Sequence, residues 1–324
     1  MTKNILLVTG ANGLLGSNLC LAAAQRGYGV RALMRTPQTC AAFMAAGVTV
    51  LCGDVTDPGS VRAAARGARG IVHAAAVLGG TWSKATPADY WDVNYQGSVN
   101  VMEAARLEGV ARMVDLDSVA ILDWAYTISE RSPIAPISPD DSAYVASKRA
   151  SYYEGMHRAS RGQDITFVTP AGIYGPGPFA QRVLHPTSFT GTLAMALGGR
   201  LADYVRFPLL WAYVDDVAAV CLAALERGRS AERYLACGRV EDACSIAAFC
   251  NQAAALAGVA HRVREVDLRS GGAAIGSMAK LAARRLADPL LDSSATQRST
   301  GVAPLPLSEG LRRTVDWLRR SSLL

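Results

Sequence analysis

The sequence predicts an α/β protein built on a doubly wound parallel sheet, with a smaller C-terminal lobe. Short apolar runs alternate with helix-period patterns through the first half of the chain. A glycine-rich turn joins the first of those runs to the first helix, and the alternation loosens after Tyr174.

Asn4–Val8 reads as a buried strand, and the following helix carries Leu15, Leu19, Ala22 and Ala23 on one face. Gly27 ends that helix, and Gly29–Met34 is the second strand. Ala41–Ala46 is a short helix stopped by Gly47, followed by strand Val48–Cys52. Asp57-Pro58 opens another helix, with proline tolerated in the first turn. Strand Gly70–Ala74 follows, then a long helix from Pro87 to Glu108. Arg112–Leu116 is the fifth strand, Ser142–Arg161 a helix and Ile165–Val168 the sixth strand. Strands separated by helices run parallel, because each crossover returns the chain in the same direction. Beyond Gly175-Pro176-Gly177-Pro178, a Gly-, Thr- and Pro-containing stretch runs to about Pro208. Strand Leu209–Val214, helix Asp216–Arg227 and strand Arg233–Ala236 come next. A helix near Ser245–Leu256, a strand near Arg262–Val266 and a closing helix near Glu309–Arg320 complete the chain. Residues 1–173 with 209–239 are expected to form the sheet domain, and 174–208 with 240–324 a lobe over its carboxyl edge.

Composition narrows the function. With 324 residues, 50% apolar and 19% charged, the chain can bury a large core and is not intrinsically disordered. No apolar run is long enough to span a bilayer, and the opening apolar run is too short for a signal peptide. The net charge of +6 is scattered, with one group at Lys280, Arg284 and Arg285, so a nucleic-acid partner is not expected. Seven cysteines without a CxxC pair read as buried thiols of a reducing, cytoplasmic compartment. Four dispersed histidines (73, 157, 185, 261) give no metal spacing. Ser277 and Lys280 form an isolated SxxK that lacks the other elements of such a site.

The chemistry begins at Thr9-Gly10-Ala11-Asn12-Gly13-Leu14-Leu15-Gly16. Between a strand and a helix, glycines let the backbone approach a pyrophosphate whose charge then meets the helix N-terminus. A dinucleotide is the expected cofactor. At the end of the second strand, Val30-Arg31-Ala32-Leu33-Met34-Arg35 has no carboxylate for a ribose diol. Arg35, with Arg31 as a second candidate, puts a cation where a 2′-phosphate would lie, which favours NADP over NAD. Tyr144 and Lys148 stand four residues apart on one helix face, where an ammonium would lower the phenol's pKa.

Taken together these motifs resemble the extended short-chain dehydrogenase/reductases, the NAD-dependent epimerase/dehydratase group. The resemblance also runs through Gly53-Asp54-Val55, Val72-His73-Ala74-Ala75-Ala76 and Asp92-Val93-Asn94-Tyr95-Gln96-Gly97-Ser98. It continues in family order through Tyr174-Gly175-Pro176-Gly177 and Tyr213-Val214-Asp215-Asp216-Val217-Ala218. The resemblance implies a Rossmann-type fold and a catalytic Ser118, Tyr144 and Lys148, with Tyr144 as acid/base and Lys148 on the nicotinamide ribose. It implies cofactor contacts from Gly10, Asn12, Gly13, Leu14, Leu15, Gly16 and Arg35. Asp54 and Val55 would meet adenine, Ala74, Ala75 and Ala76 would line the cofactor's path, and Pro170 and Ile173 would meet the nicotinamide end.

Within the superfamily the chain looks most like the dihydroflavonol-4-reductase-like branch. Its basic second-strand end, the missing Asn in Pro170-Ala171-Gly172-Ile173-Tyr174-Gly175-Pro176 and the closing Gly301-Val302-Ala303-Pro304 … Trp317 segment favour that branch. Two departures stand out: Asp115 and Asp117 beside Ser118, and Thr169 where an Arg commonly precedes the proline.

The expected activity is NADPH-dependent interconversion of a carbonyl and an alcohol on a small aromatic, alicyclic or steroid-like substrate. Leu78, Val119, Tyr174, Phe179 and His185 are expected to approach it, with Trp82 and Trp211 as further candidates. Competing readings are a nucleotide-sugar epimerase/dehydratase holding NAD and a non-catalytic NADP-binding sensor. Arg35 and the missing Asn oppose the first; the retained Tyr144 and Lys148 oppose the second. Family analogy implies a homodimer through the helices at Pro87–Glu108 and Ser142–Arg161, with Ala104, Ala105, Tyr152, Tyr153 and Met156 as candidate contacts.

Overall fold

A computed structural model describes residues 4–80, 82–125, 127–206, 208–266 and 291–324. Lys280, Arg284, Arg285 and the Ser277/Lys280 pair lie outside the described residues. In chain order the first half gives β1 (Ile5–Thr9), α1 (Leu14–Gln25), β2 (Gly29–Met34), α2 (Ala41–Ala45), β3 (Thr49–Cys52) and α3 (Pro58–Ala65). Next come β4 (Gly70–His73), α4 (Pro87–Tyr90), α5 (Gly97–Leu107), β5 (Arg112–Leu116), the short β6 (Ile128–Ser129), α6 (Ala143–Ser160) and β7 (Ile165–Pro170).

Seven strands form one sheet in the order β12–β7–β5–β4–β1–β2–β3, where β12 is Arg233–Ala236. Every pairing in it is parallel. The inner strands read as near-continuous apolar runs because helices cover both faces. The chain winds outward from β1 in one direction through β2 and β3, then crosses to β4 and winds the other way. That reversal leaves a crevice at the carboxyl ends of β1 and β4, where ligands of such sheets bind.

The alternation misplaces one element. The helix expected from Pro87 to Glu108 is interrupted by a π-helical segment, Trp91–Gln96. Inside it Asn94, fully buried, accepts a hydrogen bond from the Val77 N–H at 2.7 Å and donates to the Val77 carbonyl at 3.1 Å. The widened turn thereby ties the helix to the loop after β4.

The stretch after Tyr174 holds more structure than its composition suggests. β8 (Gly172–Tyr174) is followed by α7 (Ala180–Val183), α8 (Phe189–Leu197), β9 (Asp203–Val205), β10 (Pro208–Leu209) and β11 (Trp211–Tyr213). β11 pairs in parallel with β8, and α9 (Val214–Arg227) then packs beside α1 under the main sheet. A third apolar cluster joins α8, α10 (Ile246–Ala257) and the closing helix Leu307–Arg320. Its centre is Trp211 stacked on Phe249, with ring centroids 3.8 Å apart. In the closing helix Leu307, Leu311, Val315 and Leu318 form the buried stripe of an amphipathic helix.

Among the described residues, no helix is long and apolar enough to cross a membrane and no His/Cys/Asp/Glu cluster could hold a metal ion. All seven cysteines are unbridged.

Candidate active site

The crevice is a cavity of about 1190 Å³ running from the glycine-rich turn to the loops around α8. At its floor, Thr9 at the end of β1 shares a 2.7 Å hydrogen bond with His73 Nδ1 at the end of β4. His73 Nε2 meets the Ser98 hydroxyl at 3.0 Å, so the imidazole spans β1, β4 and α5. Burial, reinforced by the Lys148 charge, pushes its pKa down to about 3. It is a neutral brace for the turn above it, not a ligand.

That turn has the geometry a pyrophosphate requires. Gly10 has φ +62°, and a Cβ there would stand 2.7 Å from the Ala75 Cα. A Cβ on Gly16 would stand 2.3 Å from the Gly10 carbonyl oxygen. These close approaches bring the β1 turn, Ala74–Ala75 and the start of α1 together. Gly13 caps α1 without a side-chain acceptor, and no acidic residue occupies the first turn. The first N–H groups of α1 are therefore left for an anion in the cavity wall. The residues fit a dinucleotide.

Gly10, Asn12, Gly13, Leu14, Leu15 and Gly16 all line the cavity. So do Arg35, Asp54, Val55, Ala74, Ala75, Ala76, Pro170 and Ile173. Arg31 does not: its guanidinium donates to the Ala64 and Arg66 carbonyls at the end of α3, away from the crevice.

Ser118, Tyr144 and Lys148 meet in the same wall. Ser118 follows β5 and caps a short 3₁₀ turn, its oxygen accepting from the Ala120 N–H at 3.2 Å. Ser142 caps α6 through the Val145 N–H, which sets Tyr144 in the first turn and Lys148 one turn on. The Tyr144 and Ser118 hydroxyls are hydrogen-bond partners. The Tyr144 ring lies edge-on to Tyr90, with centroids 6.2 Å apart, and against the Gly79 backbone.

The expected lowering of the phenol by Lys148 is not what the geometry gives. Burial pushes the Tyr144 pKa up, the Ser118 hydrogen bond opposes this, and the charge on Asp117 adds to the rise. The Lys148 ammonium instead donates to the Leu116 carbonyl at 2.7 Å and faces Asp115 and Asp117. Its own pKa is lowered by burial and held up by those two carboxylates.

At the substrate end, Leu78, Val119, His185 and Trp82 line the cavity. Tyr174 and Phe179 do not. Side chains alternate along β8, so Ile173 faces the cavity and Tyr174 the opposite side. Tyr174 is 1% exposed and packs edge-on against Phe249. Phe179 packs edge-on against Phe43, and Trp211 is buried in the lobe core.

Residues that spacing does not single out include Trp124, Phe189, Tyr204 and the loop Ala135–Asp141, all on the cavity wall. A buried ion pair joins that loop to α6, with Arg149 Nη1 2.6 Å from Asp141 Oδ2. No local motif marks such a loop; only the apolar-proline run Pro133-Ile134-Ala135-Pro136-Ile137 hints at it.

Comparison with known proteins agrees with the geometry. Residues 6–237 match the NAD dependent epimerase/dehydratase family. Sterol demethylase protein B of Methylococcus capsulatus is 33% identical over 234 residues, covering 72% of this chain and 69% of that protein. Cinnamoyl-CoA reductase 1 of Oryza sativa is 28% identical, covering 74% of this chain and 72% of that protein. The fold is shared with UDP-glucose 4-epimerase of Thermotoga maritima at a TM-score of 0.79 and 20% identity, over 98% of this chain and 99% of that one. Putative dihydroflavonol 4-reductase of Synechocystis sp. is 30% identical over 70% of this chain and 66% of that protein. The chain belongs to the NAD-dependent epimerase/dehydratase family, as an enzyme of the extended short-chain dehydrogenase/reductase type.

Proposed function

We propose that the protein is an NADP(H)-dependent oxidoreductase that interconverts a carbonyl and an alcohol on a bulky, largely apolar alicyclic or aromatic substrate. The observation that carries this reading is the Ser118–Tyr144 hydroxyl pair, set beside Lys148 in the wall of the cavity below the glycine turn. The turn and the start of α1 would hold the pyrophosphate, Arg35 the 2′-phosphate, Asp54 and Val55 the adenine, and Lys148 the ribose. Bound there, a nicotinamide would supply or accept the hydride.

Ser118 and Tyr144 would hydrogen-bond the substrate oxygen where negative charge develops. A buried phenol with a raised pKa is protonated at neutral pH, the form that donates a proton to that oxygen. Leu78, Val119, Trp124, Phe189 and Leu209 give the far end an apolar wall able to exclude water. Sterol demethylase protein B and a 3-beta-hydroxysteroid dehydrogenase among the relatives support an alicyclic substrate.

NADPH consumption with a panel of alicyclic and aromatic ketones and aldehydes tests the reading. Tyr144→Phe should lower turnover by about 10²–10⁴-fold with little change in NADPH affinity. An unchanged rate would remove Tyr144 from its role. A nucleotide-sugar substrate is the second reading, favoured by Lys84 and Arg182 on the cavity wall. Tight UDP-sugar binding without ketone turnover would move the assignment there.

A further inference from the structure

The two departures from the family pattern meet in space. Asp115 and Asp117 stand two residues apart at the end of β5, so both side chains fall on one face of the sheet, toward α6. Both are buried, at 1% and 4% exposure. Thr169 lies on the neighbouring β7, and its buried hydroxyl donates toward the Asp117 carboxylate. The Asp117 N–H donates to the Val168 carbonyl at 3.1 Å, which locks the two strands at this level.

The carboxylates differ in what they face. Asp115 accepts from the Ser151 hydroxyl at 3.4 Å and faces Lys148. Asp117 has the Thr169 hydroxyl as its side-chain donor. Asp117 faces Lys148, Tyr144 and Tyr152 from α6, Arg233 from β12 and Cys237 just beyond it. Arg233 is itself held, donating to the Ser132 carbonyl at 2.7 Å and lying over the Tyr152 ring. Around Tyr144, the other groups that matter are the Ser118 and Tyr90 hydroxyls. Asp117 is thus the charged group that bears on the phenol, and it is next in the chain to the serine that bonds it.

We propose that Asp117 is a positioning residue for the Tyr144 proton: its buried charge sets the pH at which the phenol changes from donor to acceptor, while Asp115 serves as the counter-charge of Lys148. The proposal rests on Tyr144 as the proton donor of the proposed reaction. A negative charge beside a phenol opposes its ionisation, so removing that charge lets the phenolate form at lower pH. Burial raises Asp117 to about 6, so it carries its charge throughout the range in which a phenol titrates.

The experiment is a near-ultraviolet phenolate titration of the full-length protein, with the Tyr144→Phe spectrum subtracted to isolate Tyr144. It needs no substrate, so it is independent of whether the carbonyl-reductase reading holds; that reading fails separately, through unchanged turnover in Tyr144→Phe. Asp117→Asn is expected to move the Tyr144 midpoint down by about one pH unit. Asp115→Asn is expected to move it by less than about a third of that, because Asp115 bears on Lys148. If Asp117→Asn does not fold, Asp117→Ser, which removes the same charge, is titrated in its place. An unmoved midpoint in the charge-removed protein, or an equal shift in Asp115→Asn, overturns the proposal. With a substrate in hand, the pH profile of kcat/KM should shift with the titration while the KM for NADPH stays fixed.

Discussion

Arg35 is the residue on which the proposed preference for NADP(H) rests. It sits exposed at the end of β2 on the cavity wall, and β2 itself carries no carboxylate to pair with a ribose diol. Its nearby negative charge is Asp89, whose carboxyl lies below its usual range because it accepts from Thr86 in a capping box, with Arg35 adding a smaller effect. Asp89 is thus already engaged, and the guanidinium can turn to a phosphate. Arg35→Ser is expected to raise the KM for NADPH by about tenfold or more and leave that for NADH within about twofold, since only NADPH carries the extra phosphate. Parallel initial-rate measurements with both cofactors check this; equal losses would mean that Arg35 contacts a group the two share. Legibility at this scale divides in the same way. The glycines, Arg35, Tyr144 and Lys148 are readable because local spacing dictates their geometry. Tyr174 is misplaced by one step of strand alternation, and Asp117 shows in the sequence only as an oddity. That its charge reaches Tyr144 depends on how β5 meets α6, which no spacing within either segment encodes.

Helices and strands were readable where a single period governs them. β2, β5 and β12 fall where the apolar runs place them, and α6 starts at its Ser142 cap. The π segment is invisible to a 3.6-residue period, and the contact it makes, between Asn94 and a loop residue 17 positions earlier, is not encoded by spacing within the helix. The helix α8 was hidden by its glycine. Gly191 reads as a breaker, yet a Cβ there would lie 2.1 Å from the His185 carbonyl oxygen, so it permits close packing inside a helix. The helix faces also bear on assembly. Ala104, Ala105 and Tyr152 are buried within the protein's own core and leave nothing for a partner. Trp91 at 41% and Tyr153 at 52% exposure, with Met156 half-buried, are what the packed α5–α6 region presents to solvent. Exposed aromatics on adjacent helices suit a self-complementary contact. We propose a two-fold dimer through this face. Sedimentation should give twice the chain mass, and Tyr153→Glu should shift the equilibrium to monomer; a wild-type monomer at all concentrations would rule the contact out.

For the whole molecule, the buried ionisable groups set how stability follows pH, and they pull in opposite directions. His73 is held near 3 when folded, far below an exposed imidazole, so below about 6.5 the unfolded chain binds a proton that the native state refuses. Its contribution is lost as pH falls. Asp115 and Asp117 are raised to about 7 and about 6. Between roughly 4 and those values the native state binds protons that the unfolded chain has released, so their contribution is lost as pH rises. From about pH 4 to 6 the two aspartates outweigh the one histidine by about one proton, so the net effect of these three groups is a decline in stability as pH rises; above 6.5 Asp115 is the one of the three still losing its native-state proton, and the decline continues toward pH 7.5. Asp115→Asn removes that titration. Losing it reduces the decline. The difference in Tm between pH 5 and pH 7.5 should therefore shrink by about 2–5 °C relative to wild type, whatever the substitution does to absolute stability. Thermal melts of both proteins at the two pH values measure it directly. An unchanged difference would mean that Asp115 is already ionised at pH 5 in the folded protein, its charge matched by Lys148, and the pH dependence would have to arise elsewhere in the chain.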